Sequence, residues 1–495
     1  MKTLKKIILT SVSVTLFGCA DDLDKNPIGL ITSDQISTDV TASGIVSGIN
    51  SSYELLSNTL NIIGNWDWTG GKVFRNDFIL QDIASGDMNK KWNPDGDQTW
   101  MDEVAAFNFT SENGAFNGIW SYNYEGIARV NQGISLLTNN ETVNQAGLSS
   151  ELRDRMLGEV LFLRAFYYFD LVQNFGDVPL ILKPLDNFQD AFTVSSRIDK
   201  ETVLAQIKSD LSEAKLLLPP TKYSSNEEPW RASKGAVIAL QAKIALYNKE
   251  WENVITIISE LENLGFYSLN NLYFDSFDIS KEFTENEVVF AYDHKEVQNP
   301  RKGNGFGAVM SWGFMAPTQS FLDEFEANDP RLDYTVNVEE KLVYKIYGVT
   351  NASFRGNDDS PGNRIFIRWA DILLWKAEAL LETSNYQDAI EIINSIRARA
   401  RNTPPLDGIM LPSGTLADWN ESSTDKTQIM NWLIHERRVE LGFESQRFND
   451  LKRWGIAQEF LTGLGKNFQS FHLLYPIPQR DIEKSGGLIS QNPGY

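Results

Sequence analysis

Apolar residues recur at three- and four-residue spacing along most of the chain. That period predicts amphipathic helices at about 41–57, 115–137, 151–174, 201–217, 233–247, 252–264, 366–383, 386–400 and 427–445. Alternation of period two is confined to "EVVFAY" (287–292) and "KLVYKIY" (341–347), which predict strands. Between about 60 and 114, and again between 268 and 365, Gly, Asn, Asp and aromatic residues gather without a period. Irregular segments of that length inside a compact protein are usually functional. The expected fold class is mostly α, a helical scaffold carrying a loop-rich part.

A repeat runs through the helices. Ala242, Leu246, Trp251, Ile255 and Ile258 match Ala377, Leu381, Tyr386, Ile390 and Ile393, every pair offset by 135. In each unit a small residue lets two helices approach and an aromatic opens the second helix. This is the packing of a tetratricopeptide-type helix pair.

The chain opens on a different pattern. Lys2, Lys5 and Lys6 precede an apolar run from Ile7 to Phe17, too short for the roughly 20 residues of a membrane span, and a small Gly18 follows. This reads as a secretory signal peptide over residues 1–18. Cys19 comes next, the only cysteine in 495 residues. "LFGC" resembles the bacterial lipobox, in which the cysteine is acylated and becomes the mature N-terminus; Phe17 departs mildly from that pattern. Acyl chains on Cys19 anchor a protein without a transmembrane helix. Residues 19–40 form the lipidated terminus and a polar tether.

Removing residues 1–18 discards three lysines and takes the formal net charge from −21 to −24. A balance so acidic argues against nucleic acid and favours an uncharged ligand over a polyanion. Lys90, Lys91, Arg301 and Lys302 lie in the loop regions, however, and suffice for a local basic groove.

Candidate chemistry is sparse. His294, His435 and His472 are scattered and have no cysteine to join them, so a zinc site is not expected. "HERRV" (435–439) begins like HExxH but ends in Val439. Glu436, Arg437, Arg438, Glu440 and Glu444, followed by Arg447, Asp450, Lys452 and Arg453, read instead as an ion-pair network between helices. The acidic turn "NPDGDQTWMDE" (93–103) has Gln98 and Val104 where an EF-hand loop needs Gly and Glu. "GNGFG" (303–307) lacks dinucleotide spacing, and no GxSxG occurs. No cofactor and no catalytic residue are expected.

Aromatics carry the better signal. Trp66, Trp68, Trp92, Trp100 and Trp120 fall within 55 residues, and "MSWGFM" (310–315) adds Trp312 and Phe314. Flat rings beside polar amides suit a sugar, whose C–H faces stack while its hydroxyls hydrogen-bond. The competing reading is that the rings fill a core. The expected ligand-binding residues are Trp66, Trp68, Trp92, Trp100, Trp312 and Phe314, with Trp66 and Trp68 on one face if their segment is extended.

Five long segments complete the picture: "GEVLFLRAFYYFDLVQNFGDVPLI" (158–181), "RASKGAVIALQAKIALYNKEWENV" (231–254), "RWADILLWKAEALLE" (368–382), "IHERRVELGFESQRFNDLKRWG" (434–455) and "YPIPQRDIEKSGGLISQNPGY" (475–495). Together they resemble the SusD/RagB family of nutrient-binding outer-membrane lipoproteins of Bacteroidetes, and "CADDL" resembles that phylum's surface-export signal. The resemblance implies a tetratricopeptide-like scaffold with four helix pairs. It divides the chain into an N-terminal region, 41–265, and a C-terminal region, 266–495, the latter with its helical part at 366–460 and a tail. It implies a non-enzymatic, lipid-anchored protein on the outer face of the outer membrane. Such a protein captures a glycan and passes it to a SusC-like TonB-dependent transporter. The family's ligand loops vary, so the resemblance assigns no binding residue. Peptide capture in the same kind of uptake system, a divergent surface glycoside hydrolase and a purely protein-binding scaffold are the alternatives.

Overall fold

The computed structural model describes residues 40–495 apart from 65, 93–94, 186, 295–302 and 352–358. The signal peptide, Cys19, the tether up to residue 39, Arg301 and Lys302 lie outside the described residues. Helices form where the period places them: α1 (Ala42–Tyr53), α2 (Gly114–Thr138), α3 (Ser150–Phe175), α4 (Lys200–Leu217), α5 (Lys234–Tyr247), α6 (Trp251–Asn263), α7 (Trp369–Glu382), α8 (Tyr386–Asn402) and α9 (Lys426–Glu440). Six begin on a residue whose side chain accepts a backbone N–H of the first turn: Thr41, Asn113, Ser149, Asp199, Ser233 and Asp425. Each such cap satisfies a donor that the helix itself leaves unpaired.

Successive helices pack side by side from α1 to α8, and α9 closes on both α7 and α8. The two repeat units, α5–α6 and α7–α8, are neighbours through the contact of α6 with α7 although 105 residues separate Asn263 from Trp369. Ala242, Leu246, Ile258, Ala377, Leu381, Ile390 and Ile393 are buried. The repeat extends into the turns, where Lys249 and Ser384, again offset by 135, both adopt a left-handed backbone.

Strand is scarce among the described residues. β1 (Met88–Asn89) pairs antiparallel with β3 (Ala316–Pro317), and β2 (Val288–Tyr292) with β4 (Arg364–Arg368). β4 takes the first residues of the helix expected from 366, so α7 starts at Trp369. The strand expected at 341–347 is a strand only at Leu342–Val343 and becomes a helical turn at Tyr344–Tyr347. Its alternation misleads because Lys345, which the pattern puts on the solvent face, is buried. Its Nζ donates to the carbonyls of Glu440 (2.8 Å) and Gly442 (3.1 Å) and to Glu444 (2.9 Å).

The charged helix is an internal brace. Glu440 accepts from Arg331 (3.2 Å), Arg368 (2.8 Å) and Arg399, while Glu287 accepts from Arg399 (2.7 Å) and Glu444 from Arg368 (2.8 Å). All of these side chains are buried, so the network binds β4, α8 and α9 to segments far away in sequence. Arg437 and Arg453 share Asp450 in the same way. Two members depart from expectation: Lys452 donates to the Gln173 carbonyl (2.9 Å), and Arg447 Nε and Nη1 are buried without a hydrogen-bond partner.

At the outer end of the brace His435 sits between Glu324 (2.8 Å) and Glu326 (3.3 Å). Burial works against its charge, but hydrogen bonds to the two carboxylates outweigh burial and raise its pKa to about 9. A raised native pKa gives stability that is complete below the unfolded value near ~6.5 and disappears as pH rises through about 9. Thermal melts of the wild type are therefore expected to weaken between those pH values, and His435→Ala to flatten that slope. An equally steep slope in the variant would remove His435 as its source.

Candidate aromatic ligand platform

The segment bearing Trp66 and Trp68 is a closed turn, not an extended strand. Lys72 N–H donates to the Asp67 carbonyl (3.0 Å), Gly70 N–H to the Asp67 carboxylate (2.8 Å) and Trp68 N–H to the Trp66 carbonyl (2.9 Å). Trp66 itself has φ 59°. At the exit of the turn a Cβ on Gly71 would meet the Gly114 carbonyl oxygen at 1.9 Å, so the loop lies directly on the start of α2. The two tryptophans consequently part company. Trp66 is 53% exposed, whereas Trp68 is half-buried against Phe74 (ring centroids 5.9 Å apart).

The two irregular regions meet at the β1–β3 pair, whose paired residues lie more than 200 positions apart in sequence. Beyond it Lys91 N–H donates to the Gly313 carbonyl (2.7 Å). A Cβ on Gly313, whose φ is +87°, would lie 2.5 Å from the Trp92 ring. Only glycine admits that ring so close. Trp68 in turn contacts Trp312 (5.9 Å, 61°) and Phe314 (5.7 Å, 53°). Trp68, Trp92, Trp312 and Phe314 therefore form one patch. Trp92 is its most open ring at 56% exposure, Trp312 is half-buried, and Phe314 is buried beneath.

Trp100 has a different place. It is buried, its indole N–H donates to Gln98 (2.7 Å), and its carbonyl accepts from Asn113 (2.8 Å), the residue that caps α2. It supports the loop from inside and offers no open face for stacking.

Among the described residues, Lys90 and Lys91 both donate to protein oxygens beside the patch, and Lys90 is neutralised there. Lys90 is buried and its ammonium is held by Asp95 (2.7 Å), Asp102 (2.8 Å) and the Asp97 carbonyl. Burial disfavours its charge, but the two carboxylates outweigh burial and raise its pKa. The acidic turn thus closes on a lysine. Lys91 Nζ donates to the Glu340 carbonyl (2.8 Å) and lies 5.4 Å from the centre of the Trp92 ring. Among the described residues no group of three or more His, Cys, Asp or Glu is placed to hold a metal ion. No helix among them is long and apolar enough to cross a membrane.

Sequence reasoning finds these rings but not their pairing across the chain. The signal available is "WGF" at 312–314, a glycine between two aromatics.

Two family models match the chain: one described as "Starch-binding associating with outer membrane" over residues 35–246, and the SusD family model over residues 333–495. SusD-like protein P38 of Formosa agariphila is 30% identical over 370 residues, 65% of this chain and 70% of that protein. SusD-like protein P2 of the same organism is 26% identical over 99% of both chains. A solved structure, a laminarin binding SusD-like protein, superposes with a TM-score of 0.71 at 23% identity, covering 92% of this chain and 100% of that one. The chain belongs to the SusD family.

Proposed function

We propose that this protein is a cell-surface lipoprotein, anchored through Cys19 to the outer leaflet of the outer membrane, that captures a glycan and delivers it to a SusC-like TonB-dependent transporter. The observation that carries the reading is the aromatic patch, in which two distant loop regions combine to hold Trp92 open over Gly313 beside Trp312. Rings exposed in this way, on a backbone pinned by β1–β3, match the flat faces of sugars. Membership of a family with a starch-binding model supports it, as does likeness to a laminarin-binding protein.

A neutral glycan fits better than an anionic one. The formal charge is strongly negative, and Lys90 and Lys91 are both committed to protein oxygens. Hydrolysis has little support from the acidic pair next to Trp92: Asp95 and Asp102, the latter in the helix Thr99–Ala106, are both tied up in neutralising buried Lys90.

Passing the purified protein over immobilised polysaccharides and peptides separates the readings. Retention on a neutral polysaccharide without released product is the expected result, together with recovery of a TonB-dependent barrel protein when the membrane-bound form is captured in mild detergent. Sugar release would favour a hydrolase, and retention on peptides alone the peptide-uptake reading. Recovery of this chain without a barrel partner would contradict the delivery step.

A further inference from the structure

A second feature of α2 remains outside the platform. A cleft of about 570 Å³ runs beside the helix from Trp120 to Gln132, about 18 Å of helix at 1.5 Å per residue. That volume lies within the roughly 300–1,000 Å³ of ordinary ligand sites. Its opposite wall is the segment after α3, lined by Pro179, Ile181 and Pro184, and Asp481 of the short helix Gln479–Lys484 also lines it. The wall is pinned in place. Tyr124 Oη donates to the Pro179 carbonyl (2.9 Å), Asn131 Nδ2 to the Ile181 carbonyl (2.9 Å) and Arg164 Nη1 to the Leu182 carbonyl (3.3 Å). The cleft is preformed.

We propose that this cleft is a second saccharide site, working with the platform on one glycan chain; the inference rests on the glycan-capture reading. The half-buried Tyr124 ring, 4.8 Å from the Trp120 ring, and the prolines opposite give apolar surface for a sugar's C–H face. Asp481 Oδ2 is buried with no hydrogen-bond partner. Such an acceptor asks for a donor, because leaving it unpaired costs the full desolvation of the group. Burial also raises the Asp481 pKa.

The choice of ligand follows by elimination. An apolar side chain would leave Asp481 Oδ2 unpaired, and an anionic group has no donor to offer that oxygen. A cation would meet Lys72, Arg480 and Lys484, whose fields all reach Asp481. A neutral polyol donates a hydroxyl to the carboxylate and stacks its ring. The cleft and the loop that carries Trp68 both lie against α2. The loop of Trp66 and Trp68 abuts Gly114, and Trp120 follows about 9 Å further along the axis of α2. One long chain held at two places gains avidity that a short oligosaccharide cannot.

The test uses neutral trisaccharides and neutral polysaccharides of glucose, mannose, xylose and galactose, immobilised beside a peptide array. Asp481→Ala removes the acceptor, and Ala128→Arg fills the cleft from its exposed lip. Each variant, with a wild-type melting temperature, is expected to hold polysaccharide roughly ten-fold more weakly. Trp92→Ala should leave weak retention that adding Asp481→Ala abolishes. Wild-type retention of every glycan by both cleft variants would overturn the cleft site and leave the platform standing. The cleft site is equally overturned if those variants change only peptide retention. Loss in the cleft variants with normal retention in Trp92→Ala and Trp312→Ala would keep the cleft and overturn the platform. A wild type that retains no glycan overturns both.

Discussion

Truncating Glu440 to alanine is expected to destabilise the fold by about 3–5 kcal/mol, the scale for removing one partner from a buried ion pair. Glu440 accepts from Arg331, Arg368 and Arg399, and all four side chains are buried. Its loss leaves guanidinium groups short of countercharge where water does not reach. Burial alone would raise the Glu440 pKa, but Arg399, Arg368 and Arg331 hold it far below the usual carboxylate range. The stabilisation is therefore complete above the unfolded value near ~4.3 and is withdrawn as pH falls toward the depressed native value. Denaturant melts at neutral pH should show a large loss in the variant, and acid should narrow the gap from the wild type. A loss below about 1 kcal/mol would mean that the network is dispensable. The brace touches no platform ring, so a refolded Glu440 variant should still bind ligand.

The opposite signature is expected at the platform. Trp92→Ala should weaken glycan binding by about 1–3 kcal/mol, roughly five- to 150-fold, with little change in melting temperature. The reason is its 56% exposure: in the free protein the ring buries little. Gly313→Ala should act in the same direction, because its Cβ would displace the Trp92 ring and strain a backbone at φ +87°. Trp100→Ala is the control. Its ring is buried, so its truncation should lower stability by about 3–5 kcal/mol. Early melting of Trp92→Ala with intact binding would assign that ring to the core.

The scaffold is legible because its signals are local. A helix period spans each element, Ser, Thr, Asn or Asp caps many of the starts, and the 135-residue offset carries through to the left-handed turns at Lys249 and Ser384. Strand fares worse for the same reason. β4 has its partner in β2, more than 70 residues away, and Lys345 looks solvent-facing until Glu440 and Glu444 surround it. The charge alternation in α9 announces a network, but Arg331, Arg368 and Arg399 reach it through tertiary packing that no spacing encodes. The candidate site is half visible. Its rings stand out by composition, yet Trp66 and Trp68 separate because the Asp67 turn replaces an extended segment. Trp100 belongs inside, and the joining of Trp92 to Trp312 depends on the long-range β1–β3 pair. The cleft beside α2 leaves no motif, since its walls come from three separate segments.

The most direct test of glycan capture at the platform is a calorimetric titration of Trp92→Ala/Trp312→Ala and of wild type, each with the neutral polysaccharide that wild type retains most strongly. The expected result is measurable binding by the wild type, a loss of at least about ten-fold in the double variant, and closely similar melting temperatures. Undiminished affinity in a well-folded double variant would contradict it.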